Sequence, residues 1–184
     1  MKTIVCPSLE TERLRLEPLD SSFASEQYVS WMNYPEVNRY LESGNGYTLE
    51  QLNQYLAEVE KKPILFWAIV TKDQGKHIGN VKIDPINWRH LFAEYGTLMG
   101  ERSEWRKGYA MEASQAVLDY CFSEALGLRK VNLGVVEDNV GAVKLYKKLG
   151  FEVEGTLKQH VCHDGRWCNV LRMAAFNPGI SIDE

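Results

Sequence analysis

The sequence predicts an α/β (α+β) domain, one central sheet flanked by helices. Apolar residues change period along the chain, from alternation to helical spacing and back. Glycine, proline and capping residues fall where the period changes. The resulting order is strand, helices, several strands, helix, strand, helix and two strands, without a repeat or linker.

Arg13 to Pro18 alternates charged and apolar residues as a half-buried strand does, and Pro18 ends it. Asp20-Ser21-Ser22 caps a helical segment carrying Phe23, Tyr28, Val29, Trp31 and Met32. Pro35 opens a short helix through Leu41, broken by Gly44-Asn45-Gly46. Thr48 and Gln51 form a capping-box pair for a third helix to about Lys61. Ile64 to Val70 and His77 to Ile83 read as a hairpin of central strands, and after Pro85 another strand runs from Phe92 to Met99. From Lys107 to Leu126 a mostly buried helix carries one polar stripe, Glu112, Gln115, Asp119 and Ser123. Gly127 ends it. Leu128 to Val136 is a strand, and Asp138 or Asn139 caps a helix with the stripe Ala142, Leu145, Tyr146 and Leu149. Phe151 to Cys162 and Arg166 to Phe176 form the last hairpin.

A chain of 184 residues, 45% apolar and 25% charged, is enough for one substantial core. The formal charge of −4 and the scattered cations argue against nucleic acid. An anionic cofactor stays compatible, because a helix start and one or two local cations suffice for it. The four cysteines match no zinc pattern, so no metal is expected and the thiols are read as reduced. Met1-Lys2-Thr3 leads into no signal-like stretch, and the longest apolar run, Ile64 to Val70, is too short to span a bilayer. A cytoplasmic, membrane-free protein is expected.

Two segments carry chemistry. Trp105-Arg106-Lys107-Gly108-Tyr109-Ala110 joins a strand to a buried helix, where amides converge and the helix dipole is positive. It can seat an anion or simply turn the chain, and it lacks the P-loop ending. Asn139 to Phe151 reads by itself as a capped helix with a lysine face and a core Tyr146.

In this order the two segments resemble the signatures of the GNAT acetyltransferases. The first signature is Gln or Arg, two residues, Gly, one residue, then Gly or Ala. It falls here on Trp105, Gly108 and Ala110, followed by Met111-Glu112-Ala113. The second falls on Asn139, Ala142, Leu145, Tyr146, Gly150 and Phe151. The likeness runs from Glu10-Thr11-Glu12-Arg13-Leu14 to Val170-Leu171-Arg172-Met173. Trp105 replaces the usual Gln or Arg, and Arg106 stands where Gly is common, which implies altered affinity and retained binding.

The resemblance implies a GNAT fold over residues 1–184, a mixed, mostly antiparallel sheet splayed between its fourth and fifth strands. Acetyl-CoA is the implied donor, its pantetheine lying in the splay like an added strand. Leu98, Met99, Trp105, Arg106, Lys107, Gly108, Tyr109, Ala110, Asn139, Ala142 and Tyr146 are its implied contacts. The same resemblance makes Tyr146 the acid that protonates the departing sulfur. Glu94 is the first choice of base; its other reading is a cross-strand partner for a Lys or Arg. His90 and His160 have less to recommend them.

For the acceptor, Tyr28 to Val37, Ile78 to Ile83 and Ile86-Asn87-Trp88 are similar to GNAT enzymes that acetylate amino groups on nucleotide-linked sugars. Trp31, Tyr34, Asn80 and Glu94 become acceptor contacts, although both aromatics also suit helix packing. The opening Thr11 to Leu16 and Gly150 to Gly155 also resemble the ribosomal-protein N-terminal acetyltransferases, so a protein N-terminus is the rival acceptor. An α-amine is about one-tenth neutral at pH 7 and a lysine only a few parts in ten thousand, so lysine ranks third. A non-catalytic acyl-CoA-binding module is the reading from another class. Monomer and homodimer both stay open.

Overall fold

The computed structural model describes residues 4–41 and 46–180. Eight strands form a sheet of order β1-β2-β3-β4-β5-β6-β8-β7. They are β1 (Leu9–Glu10), β2 (Leu14–Pro18), β3 (Leu65–Thr71), β4 (His77–Asn87), β5 (Phe92–Met99), β6 (Lys130–Val136), β7 (Glu152–His163) and β8 (Arg166–Phe176). The helices are α1 (Glu26–Asn33), α2 (Pro35–Asn38), α3 (Leu49–Val59), α4 (Tyr109–Phe122) and α5 (Val140–Lys148). The sheet is mixed and mostly antiparallel, with β5 and β6 parallel. That parallel ladder pairs Phe92 to Glu94 with Lys130 to Asn132 and then stops, while β5 runs on to Met99 and β6 to Val136. This is the expected splay; the fourth and fifth strands of the sequence reading are β5 and β6, because the two-residue β1 was not foreseen.

By its contacts the chain divides into two compact units, Met1–Asp84 with Gly96–Ala113, and Pro85–Tyr95 with Ser114–Glu184. In the first, β3 is buried at every position, so its unbroken apolar run reflects cover on both faces. On one face Phe66, Ala68 and Val70 pack against Tyr28, Trp31, Leu52, Leu56 and Val59 of the helices. On the other lies Trp67, whose Nε1 donates to the Pro7 carbonyl at 2.6 Å. Gly79 and Gly100 permit close approaches: a Cβ on the first would lie 2.3 Å from the Leu98 carbonyl, and on the second 2.0 Å from the Trp31 indole.

The sequence expectations need correction here in four places. Asp20 caps only a 3-10 turn over Ser21–Phe23; Ser25, extended at ψ 156°, breaks the segment and caps α1 by accepting from the Tyr28 amide. The helix opened by Pro35 ends at Asn38 instead of Leu41, and Gly44 and Asn45 of its expected break lie outside the described residues. β4 continues through Pro85 to Asn87, since Ile83 is its last residue paired with β3 and the proline removes no donor from that ladder. Finally α4 is shorter than the apolar pattern, beginning at Tyr109 and ending at Phe122, with Gly127 at φ 64° donating back to the Ser123 carbonyl. The Thr48 capping box forms as expected, with both reciprocal bonds present.

In the second unit Leu133 and Met173 pair across β6 and β8 in the core. Tyr95, Tyr146 and Phe151 make a three-ring cluster with centroids 5.8 to 6.0 Å apart. Asp164 at φ 50° and Gly165 at φ 74° close the β7–β8 hairpin, as a two-residue primed turn requires. β7 is an outer strand, exposed from Glu152 through His160. Its pairing with β8 slips between Val153 and Gly155 and again between Leu157 and Val161, where Gln159 adopts φ 49°.

Candidate active site

The turn from Trp105 to Ala110 is built within the first unit. Glu101 caps a 3-10 turn over Arg102–Glu104 by accepting from the Ser103 amide. The Ser103 hydroxyl, with Gln27, holds the Glu101 carboxyl down at about 2. The Trp105 indole then donates to the Met99 carbonyl at 2.9 Å, tying the turn to the end of β5. Arg106 at φ 63° and Gly108 at φ 87° bend the chain into α4. The first helical bond runs from the Glu112 amide to the Gly108 carbonyl, so the amides before it lie outside the helical ladder. A compact run of such amides at a helix start suits a phosphate.

Sequence reasoning missed what braces this turn. Arg13, read as a strand residue within the family likeness and given no role in the site, donates from Nη1 to the Lys107 carbonyl at 2.9 Å. Its Nε and Nη2 both reach Glu112 Oε2 at 2.7 Å, and its guanidinium stacks 4.5 Å over Tyr109. Glu112 also takes the Thr11 hydroxyl and the Arg13 amide. Burial raises its carboxyl, but these donors outweigh that and leave it below the ordinary range. Glu112 was expected on a polar stripe; its role as the partner of Arg13 needs a contact 99 residues away in sequence. Of the two cations in the turn, Arg106 and Lys107, Lys107 is engaged by Glu104 at 2.8 Å, and Arg106 makes no ion pair among the described residues.

The expected acceptor wall lies in the same unit. Trp31 is 4% exposed and meets the His77 ring at 4.9 Å, so it packs inside the wall and presents no ring face. Tyr34 is 42% exposed, with the Arg102 guanidinium 4.5 Å over its ring. Asn80 is buried; its Oδ1 accepts from His77 Nε2 at 2.8 Å and its Nδ2 has no partner among the described residues. Leu98 and Met99 end β5, and Leu98 packs against the helical core.

The second unit holds the remaining candidates. Asn139 caps α5, its Oδ1 accepting from the Ala142 amide at 3.3 Å. Tyr146 is buried, and the phenol is pushed far above its ordinary range by that burial and then by Tyr95. Tyr95 spends its hydroxyl on Ser114 at 2.6 Å, whereas Tyr146 makes no side-chain hydrogen bond among the described residues. Glu94 sits at the last rung of the β5–β6 ladder, opposite Asn132. Its Oε1 receives Arg172 Nη2 at 2.6 Å, the cross-strand ion pair that its alternative reading described. Asn132 Oδ1 is buried without a partner among the described residues. Neither Arg172 nor Asn132 carried a signal in sequence, since each reads as an ordinary strand residue. His90 and His160 lie exposed.

Residues 13–152 match the acetyltransferase (GNAT) domain family. The chain belongs to the GNAT acetyltransferase family. It is an N-acetyltransferase, and acetyl-CoA is the acetyl donor. It is 32% identical over 164 residues to the uncharacterized N-acetyltransferase YoaA of Bacillus subtilis, covering 86% of this chain and 90% of that one. It is 35% identical over 107 residues to the spermidine N(1)-acetyltransferase of Escherichia coli, 58% of this chain and 56% of the relative. The spermidine N-acetyltransferase of Vibrio cholerae, solved with CoA and spermine, superposes at a TM-score of 0.81 with 26% identity, over 91% of this chain and 97% of that chain. No helix among the described residues is long and apolar enough to cross a membrane.

Proposed function

We propose that this GNAT domain, one catalytic domain over residues 1–184, acetylates a small-molecule primary amine by direct attack in a ternary complex. The observation that carries this reading is the pairing at the last β5–β6 rung. Glu94 offers a carboxylate, and beside it Asn132 offers a buried oxygen with no donor. Two acceptor-only oxygens on one rung match the N–H groups of an amine. The turn at the start of α4, with its left-handed Arg106 and Gly108, fits a pyrophosphate, with Arg106 as its cation. Bound acetyl-CoA supplies an activated acetyl thioester. Glu94 takes the amine proton, and the Tyr146 hydroxyl, kept protonated by burial, holds a proton for the leaving sulfur.

Of the finer readings, an amino group on a nucleotide-linked sugar rests on the exposed wall residue Tyr34, since Trp31 and Asn80 are both buried. A polyamine is the second reading, supported by the likeness to spermidine acetyltransferases. A thiol-release screen with acetyl-CoA against nucleotide-linked amino sugars, polyamines, amino acids and N-terminal peptides separates them. Release with peptides alone overturns the small-molecule reading, and cofactor binding without release to any amine would mean a non-catalytic module. On the best acceptor, Glu94→Gln lowers kcat/KM about 10- to 100-fold and flattens the acidic limb of its pH profile, with acetyl-CoA affinity unchanged. Wild-type kcat/KM in this variant removes Glu94 as base.

A further inference from the structure

The guanidinium of Arg172 does not meet its nearest strand neighbour. Arg172 lies on β8 and Glu94 on β5, with β6 between them. Neighbouring strands stand about 4.8 Å apart, so the side chain reaches over a whole strand, roughly 10 Å, to place Nη2 2.6 Å from Oε1. What it crosses is Gly134, the residue directly paired with Arg172 on β6. A Cβ there would stand 3.2 Å from Arg172 Nη1 and 3.4 Å from Val170 Cγ1. The missing side chain leaves a path along the sheet surface for the guanidinium.

A stability role gives little account of this arrangement. Both side chains are about one-third exposed, at 37% and 30%, and a pair so exposed contributes little. A glycine in the strand interior offsets that contribution. The geometry has another consequence, because Arg172 binds only one carboxylate oxygen. Oε1 is fixed, the carboxyl plane is thereby set, and Oε2 stays uncommitted among the described residues. On the neighbouring strand the Asn132 oxygen is buried and without a donor.

We infer that Arg172, passing over Gly134, is a positioning residue that orients the Glu94 carboxylate toward the acceptor amine. This rests on the reading of Glu94 as the group that takes the amine proton. Arg172 touches no reacting atom; it selects which oxygen faces the amine and holds it there. Losing it leaves Glu94 able to rotate, so the reaction slows without losing its base.

A double-mutant cycle tests this. Arg172→Gln lowers kcat/KM for the acceptor about 10-fold in the wild-type background and leaves KM for acetyl-CoA unchanged. In the Glu94→Gln background the same change has no further effect, because its route of action is gone. Arg172→Lys recovers part of the loss, since an ammonium on a shorter reach gives one bond without the fixed fork. Gly134→Ala, whose methyl the flexible guanidinium can yield to by a few tenths of an ångström, gives a smaller loss, about 3-fold, that also vanishes with Glu94→Gln. Should Arg172→Gln fail to fold, the Gly134→Ala arm carries the test, with acetyl-CoA affinity by calorimetry reporting the fold. Additive losses overturn the inference while leaving Glu94 as base. A raised acceptor KM with unchanged kcat, additive with Glu94→Gln, also overturns it and makes Arg172 a direct acceptor contact. Wild-type kcat/KM in Glu94→Gln itself overturns both readings.

Discussion

At the scale of single residues, Tyr146 and Tyr95 show how neighbours divide two identical side chains. Their rings meet edge to face at 5.9 Å, but only Tyr95 has a buried hydroxyl partner, Ser114. A buried phenol stays neutral far into alkaline pH, so Tyr146 keeps its proton throughout the working range, as the proposed donor must. Tyr146→Phe keeps the ring packing and deletes the donor. We expect kcat to fall about 100-fold with little change in KM for acetyl-CoA, measured by steady-state thiol release. An unchanged kcat would leave Tyr146 as a packing residue. The wild-type rate should also show no loss assignable to Tyr146 ionisation up to about pH 10.

At the scale of elements, the turn before α4, proposed to hold the cofactor pyrophosphate, is braced by Arg13 on the flank of β2. Arg13 grips the Lys107 carbonyl and the Glu112 carboxylate together, which holds the start of α4 against the preceding loop. Arg13→Ala should therefore weaken acetyl-CoA binding about 10-fold in calorimetry while the far-ultraviolet circular dichroism is retained. Equal affinity in the folded variant would show that the turn keeps its shape unaided. This brace also marks the boundary of what could be read from sequence. Periodicity and caps located the central strands, the Thr48 capping box and the Asn139 cap, because those signals lie within a few residues of one another. The two family signatures, which span the turn and Tyr146, are likewise local in sequence. Arg13 with Glu112, and Arg172 with Glu94, join residues 99 and 78 positions apart, and neither end differs from a solvated charge until the chain is folded. Trp31 failed in the opposite sense: an aromatic in a helix stripe gives no sign of whether its face meets a ligand or the core.

At the scale of the whole molecule, pH should act on stability in two steps of the same sign. His77 sits among Phe23, Tyr28 and Trp31, and burial depresses its imidazole despite bonds to Asn80 and Gly79. A group depressed in the folded state contributes stability above its unfolded value and loses it as pH falls, here from about 6.5 downward. Glu101, Glu104 and Glu112 are also depressed, so their share is lost below about 4.5. Thermal melts should be flat from pH 8 to 7 and then fall in these two stages. His77→Gln, which can still donate to the same oxygens, should remove the first stage and spare the second. A first stage that persists in this variant would assign it elsewhere. The outer strand β7 has a consequence of a different kind. An uninterrupted exposed strand of that length would serve as a template on which other chains could assemble, and Val153 and Leu157 would add apolar grip. The two slips in its pairing and the left-handed Gln159 spoil the even spacing of free amides and carbonyls that such assembly needs. The irregular edge thus works against strand-on-strand assembly, and a shortened variant that straightened β7 is expected to form fibres.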